Sequence, residues 1–254
     1  MAEPYAGGAG ASLHLLFAEY VEAILINDLD YRIFSMWWAA LRRTDEFLKQ
    51  INSVPLSIRE WKRQRDIYRN SRKYKRFEVG FATFYLNRTN RSGILINGGP
   101  IGGIKQTGKW GMDARFCRST LSARVERIAA YRERIKITNL DALIFIRRLE
   151  RNLERKPVFI YLDPPYFKKG ADLYLSTYGP GDHALMAATM RECKHQHWAV
   201  TYDDVRPIRR MYATCRVLPF RLRYTAQRRR RGAELFIVPK KLVIPPSLLH
   251  SLRK

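Results

Sequence analysis

Apolar residues recur along this chain in two ways. Some form short unbroken runs that end in an acid or a proline, and others return every three or four positions over longer stretches. Short runs of the first kind read as buried parallel strands, and the second kind as helices. Val158 to Leu162 is the clearest run, and Asp163-Pro164-Pro165-Tyr166 ends it. The prolines cannot continue a sheet ladder, and their fixed φ makes a rigid turn. Ala23 to Ile26 runs into Asn27-Asp28, Ile135 to Thr138 into Asn139-Leu140-Asp141, and Trp198 to Tyr202 into Asp203-Asp204. Helical spacing is read at Leu13, Leu15, Leu16 and Tyr20, at Leu121, Val125, Ile128 and Ala129, and from Ala142 to Arg155. Arg221 to Val238 reads as a terminal hairpin with Arg228 to Arg231 at its turn. Strands alternating with helices predict a doubly wound α/β domain, with ligands at the carboxyl ends of its strands.

The pattern changes at Leu56. Arg59, Lys62, Arg63, Arg65, Arg69, Arg72, Lys73, Lys75 and Arg76 face few acids, with Trp61, Tyr68, Tyr74 and Phe77 among them. Asn87-Arg88-Thr89-Asn90-Arg91 follows, and then a glycine-rich run to Gly111. We read 55–118 as an inserted helical and hairpin subdomain, and 1–54 with 119–254 as the α/β domain.

Charge gives the insert a purpose. The 254 residues hold 47 Lys and Arg against 23 Asp and Glu, a net charge of +24. So basic a chain points to a polyanion, with nucleic acid ahead of an anionic membrane surface. A basic helix is usually only a solvated face. The interleaved aromatics and the polar loop favour phosphates along the helix and base edges at the loop, where Asn87, Arg88, Asn90 and Arg91 would act. Arg228, Arg229 and Arg230 suit further phosphate contact. Cys117, Cys193 and Cys215 lie far apart, without the spacing of a zinc site or a disulfide framework, as in a reducing cytoplasm. No signal peptide and no membrane-spanning run is read.

Asp163, the Pro164 carbonyl and Tyr166 suit attack by an exocyclic amino group. Adenine N6 is a weak nucleophile because its lone pair is delocalised into the ring. Two acceptors on its N–H groups localise that density and offset the charge that develops. Tyr166 stacks on the base, which must leave the duplex to arrive. Asp-Pro-Pro-aromatic is short, and an ordinary strand end followed by a proline turn fits it about as well. Residues 3 to 12, Glu-Pro-Tyr-Ala-Gly-Gly-Ala-Gly-Ala-Ser, read as a glycine-rich turn opening a helix. Asp28 comes 28 − 7 = 21 positions after Gly7. An acid about 20 residues beyond such a turn binds ribose hydroxyls in nucleotide-binding units. Asp28 fits equally as a cap for the helix beginning at Tyr31. His183 reads as a cap neighbour. Only Met1 and Ala2 precede Glu3, too few to be expected as a strand feeding the turn.

In order and spacing, nearly the whole chain resembles the Dam-type (class alpha) DNA adenine-N6 methyltransferases. The resemblance rests on Glu3-Pro4-Tyr5-Ala6-Gly7-Gly8, Ile26-Asn27-Asp28, Phe84-Tyr85-Leu86-Asn87-Arg88-Thr89, Tyr161-Leu162-Asp163-Pro164-Pro165-Tyr166, Thr201-Tyr202-Asp203 and Glu234-Leu235-Phe236-Ile237. It implies a Rossmann-like methyltransferase fold with an inserted DNA-recognition subdomain. The donor would be S-adenosylmethionine, with direct transfer to a flipped adenine in double-stranded DNA and no metal. It places Asp163, Pro164, Pro165 and Tyr166 at the target base, and Glu3, Tyr5, Gly7, Gly8, Asp28, Leu140, Asp141 and Asp163 around the cofactor. A restriction nuclease partner is compatible with such an enzyme. The family carries a segment with a lysine ahead of the cofactor loop, which is not found here, so weak cofactor binding is expected. Alternatives are methylation of adenine in RNA, or a truncated pseudo-enzyme that binds DNA with little catalysis.

Overall fold

A computed structural model describes residues 1–152, 157–168, 178–193, 197–223 and 231–247, with only the backbone at 152, 221–223 and 231–232. In chain order the first elements are β1 (Ala2–Glu3), α1 (Gly10–Phe17), β2 (Ile24–Asn27), α2 (Tyr31–Arg42), α3 (Thr44–Ser53), α4 (Ile58–Arg69), α5 (Arg76–Thr89), α6 (Arg118–Ala130) and β3 (Ile135–Thr138). Then come α7 (Ala142–Asn152), β4 (Ile160–Leu162), α8 (Pro180–Glu192), β5 (Trp198–Asp203), α9 (Arg206–Met211), β6 (Arg216–Arg223) and β7 (Arg231–Val238). The chain divides into two compact units, Met1–Asp28 with Leu140–Lys254, and Leu29–Asn139.

The first unit is a mixed sheet with strands in the order β2-β1-β4-β5-β7-β6. β2, β1, β4 and β5 run parallel, while β7 runs antiparallel to both β5 and β6. That is the doubly wound α/β fold expected, closed by an antiparallel hairpin. All six residues of β5 are buried, as befits a strand covered on both faces. One face packs Ile160, Leu162, Trp198, Val200, Leu235 and Ile237 with Phe145, Ile146 and Leu149 of α7 and Met186 and Met190 of α8. On the other face Ala199 and Val238 pack with Ile244, Phe159 and Tyr161. Asp141 starts α7 by accepting from the amides of Leu143 (2.9 Å) and Ile144 (3.2 Å). α8 opens with Pro180 in its first turn, and Asp182 Oδ2 reaches back to the Gly179 amide at 2.8 Å.

One expectation is overturned. A strand does feed the glycine-rich turn. It is Ala2–Glu3, and it lies inside the sheet, with Ala2 opposite both Leu25 and Ile160. Two residues suffice because ladders hold them on both sides. The Ala2 amide donates to Phe159 at 2.8 Å, and the Leu25 amide to the Met1 carbonyl at 2.9 Å. A run so short has no periodicity to read.

The second unit is mainly helical. Its core joins Phe47 and Ile51 of α3, Trp61 and Ile67 of α4, Phe81, Tyr85 and Leu86 of α5, and Leu121 and Val125 of α6. α5 approaches α2 closely at Gly80, where an added Cβ would lie 2.2 Å from the Ser35 carbonyl oxygen. The unit extends beyond the basic stretch at both ends, because charge marks a surface whereas the shared core includes α2, α3 and α6.

Candidate active site and nucleic-acid interface

Strand order reverses beside β1, with β2 on one side and β4 on the other. At such a point the loops leaving the carboxyl ends of neighbouring strands diverge and leave room for a ligand. The loops concerned are Pro4–Ala9 after β1 and Asp163–Tyr166 after β4.

The first loop is tied to β2. Gly7 takes φ +46, a left-handed conformation that suits glycine, and its amide donates to Asp28 Oδ2 at 2.9 Å. A Cβ built at Gly7, Gly8 or Gly10 meets nothing within 4 Å, so the loop borders open space. Glu3 is buried, and its Oε1 accepts from the Ser12 amide at 2.8 Å, holding the start of α1. Burial pushes its carboxyl up to about 7, the Ser12 bonds oppose this, and Asp163 adds to it. Asp28 is not the cap of α2. Asp30 is, accepting from the Arg32 amide at 2.9 Å. Leu140 is held by Asn27, whose Oδ1 accepts from the Leu140 amide (2.9 Å) while its Nδ2 donates to the Leu140 carbonyl (2.9 Å). The Tyr5 and Tyr178 hydroxyls bond at 2.6 Å.

The second loop is gripped from β5 and β7. Thr201 Oγ1 donates to Asp163 Oδ1 at 2.8 Å. The Tyr166 hydroxyl donates to Glu234 Oε1 at 2.9 Å. Asp203 accepts from the amides of Phe167 (2.8 Å) and Lys168 (3.0 Å). Pro164 and Pro165 are buried, but solvent reaches Asp163. Protein nonetheless crowds the Asp163 carboxyl, and this burial raises its pKa against the Thr201 bond, with the Glu234 charge adding to the rise. Tyr161, bonded to Thr201 Oγ1 at 3.1 Å, is pushed up to about 12, first by burial and then by Asp163. His183 is no mere cap neighbour. It is buried among the rings of Phe167, Tyr178 and Tyr202, with Nδ1 2.9 Å from the Tyr202 hydroxyl.

A family model, D12 class N6 adenine-specific DNA methyltransferase, matches residues 1–229. The chain belongs to this family. It is an adenine-specific DNA methyltransferase, as the resemblance implied. No curated protein matches its sequence. Among solved structures it is similar to the rRNA methyltransferase aviRa from Streptomyces viridochromogenes, at 12% identity and a TM-score of 0.36, over 93% of this chain and 75% of that one. So distant a likeness carries no argument.

Four of the residues expected at DNA, Asn87, Arg88, Asn90 and Arg91, lie in the helical unit, and the place of Asn90 needs correction. Asn90 is buried. Its Oδ1 accepts from the Trp61 indole at 2.7 Å and its Nδ2 donates to the Ile94 carbonyl at 2.6 Å. An amide committed at both ends inside the fold has no edge to offer a base. Asn87 is also engaged, with Oδ1 accepting from Arg88 (2.5 Å) and Nδ2 donating to Gly93 (3.3 Å). Arg88 is half-buried and its pKa is lowered, first by burial and then by Arg115 and Arg124. Arg91 is exposed. Arg228, Arg229 and Arg230 lie outside the described residues. Trp61 and Tyr68, interleaved with the basic residues, are core, while Arg59, Lys62 and Arg69 of the same helix face outward. The interleaving was therefore the period of an amphipathic helix.

The sequence reading left Asn27, Thr201, Asp203 and Glu234 without a role at the site. Each stands at or near the carboxyl end of a parallel strand, or opposite one in register, and that topological place was the available signal. Among the described residues no group of His, Cys, Asp and Glu could hold a metal ion, and no helix is long and apolar enough to cross a membrane.

Proposed function

We propose that this enzyme methylates N6 of an adenine flipped out of duplex DNA, with S-adenosylmethionine as donor. The observation that carries the reading is the pair of fixed groups after β4. Thr201 holds the Asp163 carboxylate, and Glu234 holds the Tyr166 ring. Asp163 and the Pro164 carbonyl would each accept one N6–H bond, raising electron density on nitrogen as it attacks. Tyr166 would stack on the base, which must be extruded to reach this strand end. As the N–CH3 bond formed, the donor's S–CH3 bond would break with its electron pair left on sulfur as the thioether of S-adenosylhomocysteine, and the surplus N6 proton would pass to Asp163 or through it to solvent.

The residues present fit the donor. The open glycine loop allows close approach, and Asp28 stands at the end of β2 for the ribose hydroxyls. Leu140, braced by Asn27, and Asp141 border the same strand ends for the adenine moiety. When bound, S-adenosylmethionine supplies an electrophilic methyl group on a sulfonium. Glu3 contributes from behind the loop, by holding α1, rather than by contact. In the helical unit, residues 55–118 would bear the target-recognition surface, with Arg88 and Arg91 facing DNA. The activity belongs in a compartment that contains DNA, such as a bacterial cytoplasm.

A transfer assay with radiolabelled S-adenosylmethionine on duplex DNA and on RNA tests the reading, followed by mapping of the methylated atom. Label on adenine N6 of DNA supports it. Transfer to RNA alone, or DNA binding with no transfer, would replace it with the corresponding alternative.

A further inference from the structure

Glu234 stands on β7, directly opposite Asp203 of β5 in the ladder. Both are buried acids. Both reach into the segment that follows β4, from strands that supply none of the residues assigned to the target base. Asp203 takes the two amides that follow Tyr166, and Glu234 takes the Tyr166 hydroxyl. Burial of a carboxylate is costly unless hydrogen bonds hold it, so two such groups on one turn are not incidental. A tyrosine that only had to stack would not need its hydroxyl tethered. An aromatic ring on a loop turns about χ1 and χ2 unless something holds its far end.

We propose that Glu234 is a positioning residue for the methyl-transfer reaction: through the Tyr166 hydroxyl it fixes the ring against which the target base stacks. The inference rests on the function proposed above. Glu234 has a second effect on the same site, because its charge raises the pKa of Asp163. Among the described residues, the ionisable groups that interact with Asp163 are Glu234 on β7, Glu3 on β1 and Tyr161 on β4, with the Thr201 hydroxyl from β5. Glu234→Gln separates the two effects, since a glutamine still offers an oxygen to Tyr166 but carries no charge.

The experiment compares wild type, Glu234→Ala, Glu234→Gln, Tyr166→Phe and the Tyr166→Phe/Glu234→Ala double variant. Each is assayed for transfer to DNA that lacks adenine methylation, with S-adenosylhomocysteine affinity and melting temperature as controls. Loss of one hydrogen bond that matters in the transition state lowers kcat by about tenfold. Glu234→Ala and Tyr166→Phe should each show that loss, with cofactor affinity unchanged. The double variant should lose no more than either single one, because both remove the same bond. Glu234→Gln should fall less than Glu234→Ala, and the acid limb of its pH–rate profile should move to lower pH. Losses that multiply in the double variant, a Glu234→Gln variant as slow as Glu234→Ala, or a Tyr166→Phe variant as fast as wild type would overturn the proposal. If Glu234→Ala does not fold, the rate of Tyr166→Phe still decides. A wild-type enzyme that transfers nothing to adenine would overturn the proposed function. A competent wild type matched by Glu234→Ala overturns only this inference.

Discussion

The Gly7 amide donates to the Asp28 carboxylate at 2.9 Å, across 21 positions of sequence. The bond closes the glycine-rich loop onto the end of β2, and the left-handed φ of Gly7 points the amide there. It also sets the carboxylate beside the open face of the loop. Asp28→Ala should therefore weaken cofactor binding twice over, by removing a ribose acceptor and by loosening the loop. Hydrogen bonds to charged groups contribute about 1.5–3 kcal/mol, so S-adenosylhomocysteine affinity should fall by about 10- to 100-fold. DNA affinity in the absence of cofactor should not change. Titration calorimetry measures the first and fluorescence anisotropy the second. Equal affinity for the cofactor would leave Asp28 as a loop fastener and no more.

Asp163→Ala should lower kcat by about 10²–10³, the usual cost of losing one preorganised acceptor, with little change in melting temperature because Asp163 is an exposed residue in a loop. The pH profile gives an independent check. In the proposed mechanism Asp163 acts as the carboxylate, which localises density on N6 and can take its proton, and its pKa is raised. Activity is thus full at alkaline pH and falls as pH drops through that raised value, above the ordinary aspartate value of about 3.9. A profile that stays flat down to the ordinary value would remove Asp163 from the transition state.

Sequence made the parallel strands and their terminal acids legible, because runs such as Val158 to Leu162 carry their own pattern and the prolines after them carry their own stop. It gave Gly7 and Asp28 by spacing. Other features were closed to it. β1 is too short to have a period, and only the ladders on both sides make it a strand. Asn90 sits in a polar loop and reads as surface, but its burial depends on Trp61, 29 positions away. The grip of Glu234 on Tyr166 spans 68 positions and two strands, which no local pattern encodes.

Glu3 offers a test of stability. Its carboxyl is buried and its pKa rises from 4.5 to about 7 on folding. Between these values the folded protein binds more protons than the unfolded chain, so stability falls as pH rises. The favourable contribution is complete below 4.5 and is lost by about 7. At 1.36 kcal/mol per unit, this one group accounts for about 3 kcal/mol. Asp163 acts in the same direction. Glu3→Gln keeps an oxygen for the Ser12 amide and cannot titrate. Urea unfolding at pH 5 and pH 8 should show a smaller stability difference for the variant, which should be the more stable protein at pH 8. Identical differences in the two proteins would mean that Glu3 ionises normally.

The last prediction separates two neighbours in the recognition loop. Asn90 and Arg91 both looked like DNA contacts in sequence, yet one is buried and doubly bonded while the other is exposed. Asn90→Ala leaves the buried Trp61 indole and the part-buried Ile94 carbonyl without the Asn90 amide. Each stranded group costs about 1–3 kcal/mol, so the variant should melt at a clearly lower temperature. Below that temperature its preference among DNA sequences should match wild type. Arg91→Ala should leave the melting temperature unchanged and weaken DNA binding. If the guanidinium meets a phosphate, the slope of log K against log salt should become shallower by about 0.9 and all sequences should lose equally. If it meets a guanine edge, affinity should fall on some sequences and not on others. Anisotropy over a salt series on two unrelated duplexes distinguishes these cases. A normally folded Asn90→Ala with altered sequence preference would return Asn90 to the interface.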